Sequence, residues 1–150
     1  MYFISRLAYL RKWRLAREIL AIYGVEIPAR VKIGRDFEIL HRGFGTVIHP
    51  NTDIGDRVRI YHQVTVGRAD AHRHSRDTEM LGIIIEDDVI LFPGAKILAG
   101  DGITRLQRGT IVAANAVLTG STGPGEIWAG VPARLIGKRS DLDFSKNVAK

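Results

Sequence analysis

His41 and Glu26 are the two residues on which a reaction could be built. His41 stands in Leu40-His41-Arg42-Gly43-Phe44-Gly45, a short glycine-bearing segment that interrupts an otherwise regular pattern. An imidazole in such a loop can take a proton from a hydroxyl near neutral pH if a carboxylate orients its other nitrogen. Glu26, fifteen residues earlier, is a carboxylate that one coil of regular structure could bring underneath it. The other imidazoles offer less. His49 and His62 read as structural or surface positions facing turns or solvent, and His72 and His74 fall in the polar run RADAHRHSRDTEMLG at 68–82. Cysteine is absent, which removes thiol nucleophiles, disulfides and cysteine-based zinc sites. No metal is expected.

A content of 45% apolar residues in 150 describes one ordinary domain with enough material for a core. The formal charge of +6 favours anionic partners, a phosphorylated small molecule or an acidic glycan before nucleic acid. No apolar run reaches the roughly 18 residues of a membrane span, and the N-terminus lacks a signal-peptide pattern. The expected location is cytoplasmic.

What must position His41 and Glu26 is a period of six. Aliphatic residues recur at Ile27, Ile33 and Ile39, at Ile48, Ile54, Ile60 and Val66, at Ile85, Leu91 and Ile97, and at Leu106, Val112 and Leu118. Four residues after most of these marks comes a second inward candidate, among them Val31, Phe37, Val58, Val64, Val89, Ala95 and Ala116. A helix and a half-buried strand have periods of 3.6 and 2, so neither accounts for this beat. A repeat does: each hexad is a short strand plus a turn, three hexads close one coil, and stacked coils share a continuous core. The fold expected is all-β, a parallel β-helix over 25–138. Between Ile39 and Ile48 the beat slips to nine residues, which makes the His41 segment a protrusion from the coil. Before the repeat, residues 2–23 read as a single amphipathic α-helix within an N-terminal segment 1–24. Its arginines suit either a cap on the open coil or contact with an anionic membrane surface. Residues 139–150 read as a polar tail, and Gly120–Gly130 as a turn closed by Trp128.

The run VEIPARVKIGRDFEILH, followed by GTVIHPNTDIGDRVRIYHQVTVG, resembles the hexapeptide-repeat acyltransferases, specifically the serine acetyltransferase type. IIIEDDVILFPGAKIL and the closing AGVPARLIGK resemble the same family, so the likeness covers about residues 25–138. It implies a left-handed β-helix, since parallel crossovers are otherwise right-handed. It also implies acetyl-CoA as acyl donor, a homotrimer, and an active site between subunits. His41 falls on the family's catalytic base and Glu26 on the carboxylate paired with it, where the family usually has Asp. The groove for acetyl-CoA corresponds to Gly67, Pro93, Gly94, Ala95, Ala113 and Ala114, with Asn115 beside them. Arg134 and Lys138 are candidates for the CoA phosphates by charge.

Other positions depart from the pattern. The acidic residue before the catalytic histidine, which helps hold serine, is Leu40 here. The family's second histidine and its arginine would fall at Gly82 and Leu81, leaving His72 or His74 as candidate replacements in the acceptor site. The helical domain that supplies a further serine-binding acid is represented by the one helix at 2–23. These departures favour a hydroxyl of a sugar, as in a surface polysaccharide or its precursor, with L-serine as the alternative acceptor. A precursor linked to lipid would suit peripheral membrane contact through the basic helix. A scaffold without catalysis is the reading from another class. β-Helix carbonic anhydrases bind zinc through three imidazoles, but no second histidine stands at a suitable spacing from His62.

Overall fold

The computed structural model describes residues 3–70 and 79–142. The hexads close into coils. The first full coil contributes strands β1 (Lys32–Ile33), β2 (Glu38–Ile39) and β3 (Val47–Ile48), and the second β4 (Thr52–Ile54), β5 (Arg59–Ile60) and β6 (Thr65–Arg68). The third supplies β7 (Met80–Ile85), β8 (Ile90–Leu91) and β9 (Lys96–Ala99), and the fourth β10 (Gly102–Leu106), β11 (Ile111–Val112) and β12 (Val117–Leu118). A closing hairpin follows, β13 (Glu126–Ala129) and β14 (Arg134–Lys138). Every third strand joins the same sheet, so there are three faces: β1-β4-β7-β10, β2-β5-β8-β11-β13-β14 and β3-β6-β9-β12. All described pairings between coils are parallel, and only β13 and β14 run antiparallel.

The register explains the six-residue beat. Ile33, Ile54, Ile85 and Leu106 are aligned on the first face, Ile39, Ile60, Leu91 and Val112 on the second, and Ile48, Val66, Ile97 and Leu118 on the third. These columns, with Phe37, Val58, Val64, Val89, Ala95 and Ala116, form one buried cluster along the axis, Ile33 at its margin. A single coil could not bury its own apolar face, so stacking is what removes these side chains from water.

One corner of the triangle is held by charge. Arg35 pairs with Asp56, Arg57 with Asp87 and Asp88, and Arg108 with Asp88, so acids and bases alternate up successive coils. The guanidinium of Arg57, bonded to Asp88, holds that carboxyl below the usual carboxylate range, Arg108 adding to the effect. Asp36, Arg57 and Asp88 take left-handed backbone at this corner without being glycine. Such conformations persist only where surrounding bonds over-determine them, and here the backbone bonds between coils do so: Arg57 N–H to the Arg35 carbonyl and Asp88 N–H to the Asp56 carbonyl.

The N-terminal segment differs from the single helix expected. It forms α1 (Phe3–Tyr9) and α2 (Arg14–Ile22), separated by a turn. The cause is Arg11, which belongs to no solvent face: 7% exposed, it donates from its guanidinium to the carbonyls of Ala8 and Val31. Arg17 in turn donates to the carbonyls of Arg11 and Lys12, satisfying the bend. Helix α1 closes the lower end of the coil stack. Ser5 Oγ accepts the Ile39 N–H, and the Tyr9 hydroxyl accepts the Phe37 N–H while donating to the Gly34 carbonyl. Ile4, Leu7, Ala8, Ala16 and Leu20 join the β-helix core, so helices and coils share one cluster.

The far end also departs from expectation. Part of the 120–130 turn is strand β13, and Trp128, half-buried within it, donates from Nε1 to Glu126. Arg139, expected in a loose tail, is bound by its side chain to the carbonyls of Asp88 and Gly109.

Candidate active site

His41 stands on a tight loop between the second and third faces. Residues His41–Gly43 form one 3-10 turn whose backbone is left-handed throughout, with φ of 51°, 62° and 62°. Two consecutive non-glycine residues in that region are costly, on the order of 1–3 kcal/mol each, and the loop is correspondingly braced. The Gly43 N–H donates to the Leu40 carbonyl, the Thr46 N–H to the Gly43 carbonyl, and the N–H of Gln63, on the coil above, to the Phe44 carbonyl. The Thr46 hydroxyl adds a bond to the Tyr61 carbonyl. Gly43 is buried against the core, where an added Cβ would lie 2.3 Å from Ile39 Cγ2. Only glycine fits there.

The surroundings of His41 come from the coil above it. Its ring is 5.5 Å, centroid to centroid, from Tyr61 and 5.5 Å from His62, the latter edge-on at 88°. Tyr61 is itself stacked on Phe92 at 5.2 Å. These residues occupy one edge of the prism. Leu40 N–H bonds to the Ile60 carbonyl, Tyr61 N–H to Leu91, Phe92 N–H to Val112 and Ala113 N–H to Trp128. Leu40, Tyr61, Phe92 and Ala113 are therefore equivalent positions on successive coils, and His41, His62, Pro93 and Ala114 follow them.

The residues expected to face the CoA groove fall mostly on this edge. Pro93-Gly94-Ala95 lies directly above His62 and Gln63, the Gly94 N–H bonding to the His62 carbonyl. Ala113-Ala114-Asn115 lies one coil higher, the Asn115 N–H bonding to the Pro93 carbonyl. Asn115 places its side chain over Gly94: a Cβ there would meet Asn115 Oδ1 at 2.1 Å. Gly67 lies within β6 opposite Leu98, on the third face. Arg134 pairs with Ala129 at the upper end of the edge, whereas Lys138 pairs with Glu126 at the other end of β14. The antiparallel return of β14 thus separates the two cations expected to act together.

Glu26 sits one coil below His41, bridged in parallel to Val47. No hydrogen bond joins it to His41, and it is one of the residues lining a cleft of about 520 Å³ with Arg17, Glu18, Pro28 and Val47. His72 and His74 lie outside the described residues. His49 is half-buried, its Nδ1 accepting the Asn51 N–H, and burial with the nearby Arg68 charge pushes its pKa below the ordinary value. Among the described residues no cluster of three or more His, Asp or Glu is arranged to hold a metal ion. Sequence reasoning did not bring Tyr61, His62 and Phe92 to the side of His41. The signal was the coil length: His62 follows His41 by 21 residues, and Ala114 follows Pro93 by 21.

A left-handed parallel β-helix that raises an imidazole on a loop beside a column of small turn residues defines the hexapeptide-repeat acyltransferase class. Within that class the comparisons are specific. The chain is 35% identical over 141 residues to a serine acetyltransferase of Helicobacter pylori, an alignment covering 91% of this chain and 71% of that protein. It is 33% identical over 150 residues to a serine acetyltransferase of Bacillus licheniformis, covering 95% of this chain and 65% of the relative. A crystal structure of the Brucella abortus serine acetyltransferase in complex with coenzyme A matches with a TM-score of 0.72 at 25% identity, over 89% of this chain and 54% of that one. This chain belongs to the serine acetyltransferase family. It spans only part of these relatives, 65% of the Bacillus protein and 54% of the Brucella chain. No family model matches the sequence.

Proposed function

We propose that this protein transfers an acetyl group from acetyl-CoA to a hydroxyl, with His41 as general base. The observation that carries the proposal concerns His41: a loop held in costly backbone geometry presents its imidazole on the same edge of the coils as the Pro93-Gly94 and Ala113-Ala114 turns, two and three coils below them. In the reaction His41 removes the proton of the acceptor hydroxyl, whose oxygen attacks the thioester carbonyl carbon. The tetrahedral oxyanion collapses, the C–S bond breaks, and the CoA sulfur leaves with the proton returned from His41. Backbone N–H groups at the coil turns are suited to polarise the thioester oxygen. With no cysteine in the chain, direct transfer in a ternary complex suffices. Small residues at the turns permit close approach of the pantetheine arm, and Arg134 is the better placed cation for its phosphates.

For the acceptor, the relatives support L-serine over the sugar hydroxyl that the sequence favoured. One observation favours the sugar: Leu40 stands where the family's serine-binding acid would, in register with Tyr61, which makes that wall apolar and aromatic. A trimer fits the exposure of Phe44 and Val47, 63% and 39%, beside the edge that carries His41. The sugar reading goes with the cytoplasmic membrane face, through exposed Trp13, Leu15 and Ile22 beside Lys12 and Arg14.

The test is thiol release from acetyl-CoA by the wild type and by His41→Ala, with L-serine beside a panel of amino and nucleotide sugars. Serine-dependent release abolished in the variant establishes serine acetylation. Release with sugars alone moves the protein to glycan acetylation. Equal behaviour of both proteins with every acceptor overturns the catalytic proposal in favour of a binding scaffold.

A further inference from the structure

The imidazole of His62 is unaccounted for by the chemistry above. Its ring meets His41 edge-on at a centroid distance of 5.5 Å and 88°. Its Nδ1 is shielded from solvent and has no hydrogen-bond partner among the described residues. Shielded polar atoms are paired in the great majority of cases, so a lone one beside a candidate catalytic group needs a reason. Nor is the contact a loose one. Gln63 N–H bonds to the Phe44 carbonyl and Gly94 N–H to the His62 carbonyl, fixing the backbone around both rings.

A general base needs a second partner. While one imidazole nitrogen exchanges a proton with the substrate, the other must be held so that a single tautomer and ring angle are kept. Glu26 is the holder expected from the sequence; it lines the cleft beside α2, and no hydrogen bond joins it to His41. Tyr61 and His62 are the rings in contact with His41, and His62 brings a shielded, unpaired nitrogen.

We propose that His62 is a positioning residue for His41, its Nδ1 accepting an N–H hydrogen bond from the His41 ring nitrogen that faces away from the acceptor, which leaves the other nitrogen free to take the acceptor's proton. The unpaired nitrogen is then the acceptor for an N–H that the neutral His41 ring already carries. No bond other than that hydrogen bond changes at His62, and the proton leaves His41 with the CoA sulfur. The inference rests on the acyl-transfer reading of His41.

Three substitutions test it. His62→Asn keeps a polar amide atom close to the place of Nδ1, His62→Gln carries it to the place of Nε2, and His62→Ala removes it. His62→Ala is expected to lower kcat by roughly 10- to 100-fold, the scale of a misplaced catalytic group. The KM for acetyl-CoA stays within about twofold, since binding of the donor is left intact. Asn restores most of the loss and Gln does not. A second readout needs no turnover. Nitrogen-labelled histidine spectra are expected to show one His41 tautomer in the wild type and a mixture in His62→Ala. Melting curves check that each variant is folded.

Wild-type kcat in His62→Ala, or equal losses in the Asn, Gln and Ala variants, overturns the proposal. If the wild type releases no thiol with any acceptor, the acyl-transfer reading fails on its own account. The spectra then decide: loss of the single tautomer in His62→Ala upholds the positioning, and unchanged His41 signals overturn it.

Discussion

Tyr61 lies flat on Phe92, the ring centroids 5.2 Å apart and the planes 8° from parallel, and His41 leans on Tyr61 from the coil below. Parallel stacking of aromatic rings contributes about 0.5–1.5 kcal/mol beyond their burial. Phe92→Ala removes the surface on which Tyr61 rests. It is expected to lower stability by about 1–3 kcal/mol and turnover by about tenfold, whereas Phe92→Tyr keeps both. Urea unfolding beside a thiol-release assay reads the two effects. Full activity in a destabilised Phe92→Ala would mean that the stack supports the fold alone.

The His41 loop should not tolerate a methyl group at Gly43. Alanine there meets Ile39 Cγ2 at 2.3 Å and must hold φ near +62°. Overpacking and left-handed backbone together predict a loss of about 2–4 kcal/mol. Ile39 is wholly buried, so it has little freedom to yield. Gly43→Ala with an unchanged denaturation midpoint would show that the loop can move outward.

Arg11 sets the bend between α1 and α2 through bonds to two backbone carbonyls, Ala8 and Val31. Lysine offers a single ammonium in place of the planar fork, so Arg11→Lys is not conservative here. A loss of about 2 kcal/mol is expected from lost charge-assisted bonds. Hydrogen exchange would locate it, with faster exchange across α1 and the first coil but not in the third and fourth. Uniform exchange along the stack would contradict this placing.

His49 makes stability depend on pH. Burial, reinforced by Arg68, holds the folded imidazole below its ordinary value of 6.5, so the unfolded chain binds the proton first. Stability therefore rises with pH between the folded value and 6.5, and falls as the solution is acidified through 6.5. Asparagine can still accept the Asn51 N–H, as an Asx turn does. His49→Asn is expected to flatten the midpoint of urea unfolding against pH across that window. The same slope in the variant would place the titrating group elsewhere.

The stacking core was legible because each coil repeats one requirement. An inward position can be filled only by an apolar side chain of fitting size, and it returns every sixth residue. Ile39, Ile60, Leu91 and Val112 carry that message regardless of what surrounds them. The slip between Ile39 and Ile48 likewise marked the His41 loop, because an insertion breaks a beat wherever it falls. The sequence alone therefore determined the coil, its interruption and the imidazole raised on it.

What the tertiary structure decided lies where one coil touches another. His62 looked like a surface histidine until the 21-residue offset placed its ring against His41. Arg11 is one arginine among several in the N-terminal segment, but one of the two carbonyls it serves belongs to Val31, twenty residues away. Arg134 and Lys138 stand close in sequence, and the reversal at β14 carries them to opposite ends of the strand. Glu26 has the right distance along the chain for His41, and the register that bridges it to Val47 also sets it in the wall of the cleft beside α2. Periodicity fixes which way a side chain points within its own coil, while the partner it meets depends on the register between coils, and that is set by the packing of the whole stack.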